Sequence, residues 1–268
     1  MSRHVAEKMN VAVLGGSSHG AVIADAIERS AALRLLGFLD GKRELGEKVF
    51  RYKILGNVED VPALMSRHKL AGLVIGIGDN WIRAREVKAV RAVAPQIQFP
   101  NVVHPSAVVG DRVAWGEGNV VLAGCVVNCG STIGDFCILN TSCSVDHDCR
   151  LGDYVSLAPQ TCAGGNVEIG DYSAICLGAR ISHQIRIGTH SVIGAGSTVL
   201  DHVPSRVTAY GTPARIIRLR EIGDVYLAAT ARTRARARDE DLTCRIRPHL
   251  FDKATAGTKK ISEDESHG

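Results

Sequence analysis

The sequence predicts two fold classes in one chain: an α/β unit at the N-terminus, then an all-β coil in which three short parallel strands complete each turn. Two observations carry this expectation. From Val109 to Val199 apolar residues recur at every sixth position, and before that strand-like runs alternate with glycine turns and helical stretches. Composition agrees. Aromatics make up 4% of the 268 residues while glycines number 28, which suits a repetitive, tightly turning backbone better than an aromatic-filled core.

In the first hundred residues, Asn10 to Leu14 reads as a strand and Gly15-Gly16-Ser17-Ser18-His19-Gly20 as a turn. Ala21 to Arg29 follows with the spacing of an amphipathic helix. A second strand, Leu35 to Leu39, ends in Asp40-Gly41-Lys42. A third, Leu73 to Gly78, leads into a helix from Trp81 to Ala92. The order β-α-β-α-β-α predicts a small Rossmann-like unit over residues 10–100, preceded by a tail over 1–9. Phe99, Pro100, Asn101 and Pro105 mark the change to repeats.

The repeat runs Val109, Trp115, Val121, Val127, Ile133, Leu139, Val145, Leu151, Leu157, Ala163, Ile169, Ile175, Ile181, Ile187, Ile193, Val199. Fourteen of these sixteen are Val, Ile or Leu, so the row has to point inward. Glycine follows several of them, and Gly116, Gly134, Gly152, Gly170 and Gly188 keep a strict 18-residue spacing. Three inward points per 18 residues describe a triangular coil, and no coil buries its inward row without neighbours stacked on it. After Arg220 the repeats stop. Residues 219–268 form a C-terminal extension, expected to be helical over 219–236 and polar and unstructured from 253 on.

Several function classes are disfavoured. The formal charge is +4, and no basic face with interleaved aromatics suggests nucleic acid. The first residues lack the apolar run of a signal peptide, and no apolar window is long enough for a membrane span, so a cytoplasmic protein is expected. The 8 cysteines include no CxxC pair. Cys125, Cys137, Cys143 and Cys149 share one six-residue register and read as small core residues. His147 and His183 lie 36 residues apart, two full coils. Zinc would need a third imidazole in register; His190 is the nearest, at an unsuitable spacing, so no metal is expected.

Two segments carry candidate chemistry. The glycine turn between strand and helix suits a phosphate cradle, because a helix N-terminus offers free N–H groups and a positive dipole end. Asp40 stands where such units bond a ribose hydroxyl; the alternative is a tight turn with a strand-terminal acid. The second segment is Asn140 to Cys149. His147 sits two residues past the inward Val145 and so projects from the coil. Flanked by Asp146 and Asp148, it is either a solvated surface group or an oriented general base.

The repeat pattern, together with Gly211-Thr212-Pro213-Ala214-Arg215, resembles the hexapeptide-repeat transferases, whose coils form a left-handed parallel β-helix (residues 101–218 here). With the strings GGSSHG, FLDGK, GIGDN, LNTS, VDHDC and GTPAR, the whole chain is similar to the sugar O- and N-acyltransferase family. That resemblance implies an acetyl-CoA-dependent N-acetyltransferase acting on a nucleotide-linked amino sugar such as a 4-amino-4,6-dideoxy hexose. The alternatives are O-acetylation of a sugar such as a sialic acid or polysaccharide precursor, and a non-catalytic nucleotide-sugar-binding trimer.

The same resemblance implies roles for individual residues. His147 is the base, Asp148 its partner, and the Gly165 N–H the donor to the thioester oxygen. Gly15, Ser17, Ser18, His19, Asp40, Lys42, Gly78, Asn80 and Asn140 hold the nucleotide sugar. Ser156, Gly165, Leu177, Gly178, Ala195 and Arg215 meet acetyl-CoA, a co-substrate rather than a tightly bound cofactor. Ser156 replaces a histidine usual in the family, so it can hydrogen-bond there but carry no charge. A homotrimer with donor sites between subunits is implied as well.

Overall fold

The computed structural model describes residues 8–227. The N-terminal elements are β1 (Met9–Leu14), α1 (Ser18–Arg29), β2 (Leu33–Leu39), β3 (Lys48–Val49), β4 (Tyr52–Gly56), α2 (Val61–His68), β5 (Gly72–Ile75) and α3 (Asn80–Val93). They build a five-stranded sheet of order β3-β4-β2-β1-β5, parallel except for β3. The sequence reading missed β3 and β4. Between β2 and α2 the chain makes a small hairpin, and Tyr52–Gly56 extends the sheet beside β2. Its burial alternates weakly, with Ile54 alone fully covered, so no clean strand period marks it.

The coil contains seventeen two-residue strands, β6 (Val102–Val103) through β22 (Thr198–Val199). From β6 to β19, each pairs in parallel with the strand 18 residues on, for example Val127 with Val145 and Val145 with Ala163. Three ladders result, the faces of a triangular parallel β-helix. The inward row is the one read from the sequence, and its members from Val121 to Val199 are 4% exposed or less. Burying each Val, Ile or Leu of the row contributes about 1.5–3 kcal/mol. Only the first turn stays open, with Val109 exposed and Trp115 partly covered.

Corners repeat as strictly as strands. One residue per corner takes a left-handed φ near +55 to +75°: Gly118, Gly124 and Gly130, but also Phe136, Ser142, Asp148 and Tyr154. The 18-residue glycine series has a separate cause. A Cβ on Gly116, Gly134 or Gly152 would stand 2.1–2.5 Å from Oδ1 of Asp135, Asp153 or Asp171 in the next coil. Those carboxylates accept the N–H groups of Glu117, Asp135 and Asp153 at 2.8–2.9 Å. Each glycine therefore makes room for the acid that caps the corner after it. Cys125, Cys137, Cys143 and Cys149 are fully buried, as expected.

The α/β layer covers one face of the coil. Val102, Val120 and Ile138, the outward residues of the eight-stranded ladder, join one core with Val11, Val13, Ile23 and Ile27. That ladder closes with a hairpin, β23 (Val207–Gly211) and β24 (Ala214–Leu219), whose turn is the Gly211-to-Arg215 segment. The expected helix after Leu219 is not present over its described part. Leu219 ends β24, and residues 220–227 form turns held by Arg220 and Asp224. The rest of that expectation, residues 228–268, lies outside the described residues.

Candidate active site

The base candidate stands on a ridge between two open faces of the coil. Strand Ser144–Val145 delivers the chain to this corner, and Asp148 takes φ +57°, which turns it back. Its carboxylate Oδ2 meets His147 Nδ1 at 2.8 Å. Asp146 Oδ1 accepts the His147 N–H and the Asn128 amide, both at 2.8 Å. His147 remains 51% exposed. The hydrogen bond to Asp148, reinforced by the charges of Asp146 and Asp148, raises the imidazole pKa above its ordinary value. Bonding at Nδ1 leaves Nε2 to act as base or acid.

Stacked along the same ridge at 18-residue intervals are Cys129, His147, Gly165 and His183. A Cβ on Gly165 would stand 2.6 Å from His147 Nε2, so glycine there is what lets the ring lie flat on the next coil. Gly165 thus lies against the base, and its N–H has no hydrogen-bond partner among the described residues. Gly130, one coil before Asp148, has the same role for the acid: its Cβ would be 2.5 Å from Asp148 Oδ1. Neither Asn128 nor Gly130 was singled out by sequence reasoning; the 18-residue offset from Asp146 and Asp148 was the available signal.

His190 belongs to a different corner, stacked 4.7 Å from Tyr172, itself 5.0 Å from Tyr154. It is therefore out of register with His147 and His183. Among the described residues no group of three or more His, Cys, Asp or Glu is arranged to hold a metal ion.

A second ridge, across the full width of the Ser144–Val145 face, carries the half-buried Asn140 together with Leu177, Gly178 and Ala195. Leu177 is exposed, and a Cβ on Gly178 would meet nothing within 4 Å. Within one chain these residues are thus on the opposite edge of a sheet from His147. Arg215 is exposed at the closing hairpin, 3.6 Å from Asp201.

In the α/β layer the glycine turn gathers as anticipated. Gly15 has φ +115°, and a Cβ on Gly20 would stand 2.1 Å from the Gly15 carbonyl. Ser17 caps α1 by accepting the Gly20 N–H at 3.3 Å, while the Ser18 and His19 N–H groups have no partner among the described residues. His19 is held neutral, its pKa lowered to about 4 by burial and by the charge of Arg83. Asp40 proves more structural than expected. Its two oxygens accept the N–H groups of Gly16 and Lys42, each at 2.8 Å, and so fold the turn around it; Lys42 itself is exposed.

Two sequence expectations need correction. Asn80 and Ser156 are 2% and 5% exposed, bonded to each other at 2.6 Å. Asn80 also donates to the Ser173 carbonyl at 3.0 Å. Ser156 faces the α/β layer from the covered ladder, away from both open ridges, so within this chain it cannot reach a ligand on either. The reason is Arg83, which sequence reasoning missed. Fully buried on α3, it donates to the carbonyls of Phe136, Ile77, Gly78 and Tyr154 and to Asn80 and Ser156, at 2.9–3.2 Å. A histidine at position 156 would bring a larger ring into that cluster of donors.

Comparison with known proteins agrees with this geometry. Residues 10–90 match the PglD N-terminal domain family. A 114-residue stretch is 36% identical to UDP-N-acetylbacillosamine N-acetyltransferase of Bacillus subtilis (strain 168), covering 42% of this chain and 51% of that protein. The chain thus spans about half the length of that curated relative. A histidine-to-asparagine variant of perosamine N-acetyltransferase from Caulobacter crescentus, crystallised with CoA and GDP-perosamine, superposes with a TM-score of 0.74. Identity is 32%, over 78% of this chain and 97% of that one. The acetyltransferase domain of PglB from Neisseria gonorrhoeae, in complex with acetyl coenzyme A, gives 0.72 at 30% identity over 79% and 100%.

A repeat coil with an exposed, acid-held histidine and an α/β layer on one face defines a hexapeptide-repeat sugar acyltransferase. Within that class, the chain belongs to the nucleotide-amino-sugar N-acetyltransferase family.

Proposed function

We propose that this chain transfers the acetyl group of acetyl-CoA to the amine of a nucleotide-linked amino sugar, a 4-amino-4,6-dideoxy hexose, with His147 as general base. The observation that carries the reading is the His147–Gly165 stack: an imidazole oriented at Nδ1 by Asp148, with Nε2 against Gly165, whose N–H has no partner among the described residues. The amine nitrogen attacks the thioester carbonyl, and a C–N bond forms. Nε2 takes the proton released by that nitrogen, and the Gly165 N–H donates to the developing oxyanion. The C–S bond then breaks and CoA leaves as thiolate. Alignment of the two substrates supplies much of the rate.

The nucleotide part is assigned to the α/β layer. The free N–H groups of Ser18 and His19 at the start of α1 suit its diphosphate. Asp40, with lone pairs remaining on both oxygens, suits a ribose hydroxyl. The ridge that carries the acetyl-CoA residues Leu177, Gly178 and Ala195, with the sugar residue Asn140, and the base ridge of His147 and Gly165 lie on opposite edges of one face. A complete site therefore takes one ridge from each of two copies, which supports a homotrimer; the proposal keeps left-handed coils, a cytoplasmic location, and residues 10–100 and 101–218 as the two functional domains.

The test is to incubate the protein with acetyl-CoA and UDP-, GDP- and dTDP-linked 4-amino-4,6-dideoxy sugars, and to follow product by mass spectrometry. One nucleotide series should gain an N-acetyl group. Acetylation only of hydroxyl-bearing analogues, or of none, would overturn the assignment.

A further inference from the structure

Residues 220–227 leave the closing hairpin and cross the start of α3 as a strap. Arg220, 8% exposed, donates Nε to the His190 carbonyl at 3.2 Å and a second N–H to the Asp224 carbonyl. Gly223, at φ +92°, lets the backbone settle on the Trp81 ring, where a Cβ would stand 3.2 Å from Nε1. Tyr226 then donates its backbone N–H to Asp79 Oδ2 at 2.9 Å and its hydroxyl to the Gly78 carbonyl at 3.2 Å. Leu227 lies on Gly78, its Cδ1 2.9 Å from where a Cβ would be.

The Tyr226 and Leu227 contacts fall on the loop between β5 and α3, at Gly78 and Asp79. Its other side meets the glycine turn, since a Cβ on Gly15 would be 2.9 Å from the Gly76 carbonyl and 3.2 Å from the Ile77 side chain. The loop's carbonyls are fixed in one direction. Arg83 holds those of Ile77 and Gly78, each at 2.9 Å, and Tyr226 adds a second bond to Gly78. In a trans peptide the N–H points opposite the carbonyl. The N–H groups of Gly78 and Asp79 are therefore turned away from Arg83 and the strap, and neither has a partner among the described residues.

We infer that the strap is part of the acceptor machinery: Tyr226 is a positioning residue that holds the Gly78 and Asp79 N–H groups ready to donate to acceptor oxygens of the nucleotide sugar. This rests on the proposed function for the identity of the ligand. Acetyl-CoA, assigned to the ridges of the coil, does not depend on it. Asp79 serves both sides, with Oδ1 capping α3 through the N–H groups of Trp81 and Ile82 at 3.1 Å and Oδ2 holding the strap.

The full-length Tyr226→Phe variant keeps the ring and the backbone bond to Asp79 and loses only the hydroxyl. Titration calorimetry with UDP, GDP and dTDP, and with acetyl-CoA, reads the effect without turnover. For the nucleotide that the parent binds, Kd should rise about three- to tenfold, the factor one neutral hydrogen bond is worth. The acetyl-CoA Kd should stay within about twofold. Tyr226→Ala should weaken the nucleotide further. Unchanged nucleotide affinity in both variants, with a lower melting temperature alone, would overturn the inference, and so would a parent that binds none of the three. Loss of the transferase reading would appear separately, as nucleotide binding without acetylated product.

Discussion

His147 Nε2 lies 2.6 Å from the point a Cβ on Gly165 would occupy. The general base of one coil thus rests on the backbone of the next, beside the N–H proposed to receive the oxyanion. Base and donor are held by the same 18-residue stacking that builds the coil, so their spacing is set by the repeat rather than by a flexible loop.

Gly165→Ala tests that stack. Gly165 is not among the residues of positive φ, so alanine is tolerated by the backbone, but its methyl displaces the imidazole. Turnover should fall about 10- to 100-fold, the scale of a misplacement near 1 Å, with the melting temperature little changed. Wild-type turnover would mean that the ring works from another position.

The Asp148 pairing sets a pH dependence. His147 must be neutral to accept a proton, and its pKa lies above the ordinary value because the carboxylate stabilises the imidazolium. The rate should fall as pH drops through that raised value. In Asp148→Asn the stabilisation is lost, the pKa falls, and the acid limb of the pH–rate profile should move to lower pH while the plateau drops. An acid limb that stays in place would assign it to another group.

Arg83→Met addresses the buried clamp between the layers. Burial lowers the pKa of this guanidinium, whose N–H groups are all donors. Its removal strands the carbonyls of Phe136, Ile77 and Tyr154, leaves that of Gly78 to Tyr226 alone, and takes one donor from each of Asn80 and Ser156. A loss of about 3 kcal/mol or more is expected, read as a lower denaturation midpoint. A shift below about 0.5 kcal/mol would mean that water or a rearranged loop satisfies those groups.

The coil was legible because its geometry is periodic: an inward side chain every sixth residue cannot be imitated by chance from Val109 to Val199. The glycine turn and the exposed His147 followed from local strings. Contacts between layers were not legible. Arg83 reads as a solvent-facing helix residue, yet it shares a buried stripe with Asn80, Val87 and Val90 at helical spacing, and that stripe was the signal to follow. Ser156 was placed by its string, whereas its face of the coil decides what it touches. Tyr226 lies far along the chain from Gly78, and no short-range pattern links them.

The most direct measurement of the central claim is single-turnover CoA release by His147→Ala beside the parent, with saturating acetyl-CoA and the accepted nucleotide amino sugar. General-base catalysis contributes about 10²- to 10⁴-fold. The variant should lose that much in rate while binding both substrates as the parent does. A variant that releases CoA at the parental rate would contradict the assignment of His147 as the base.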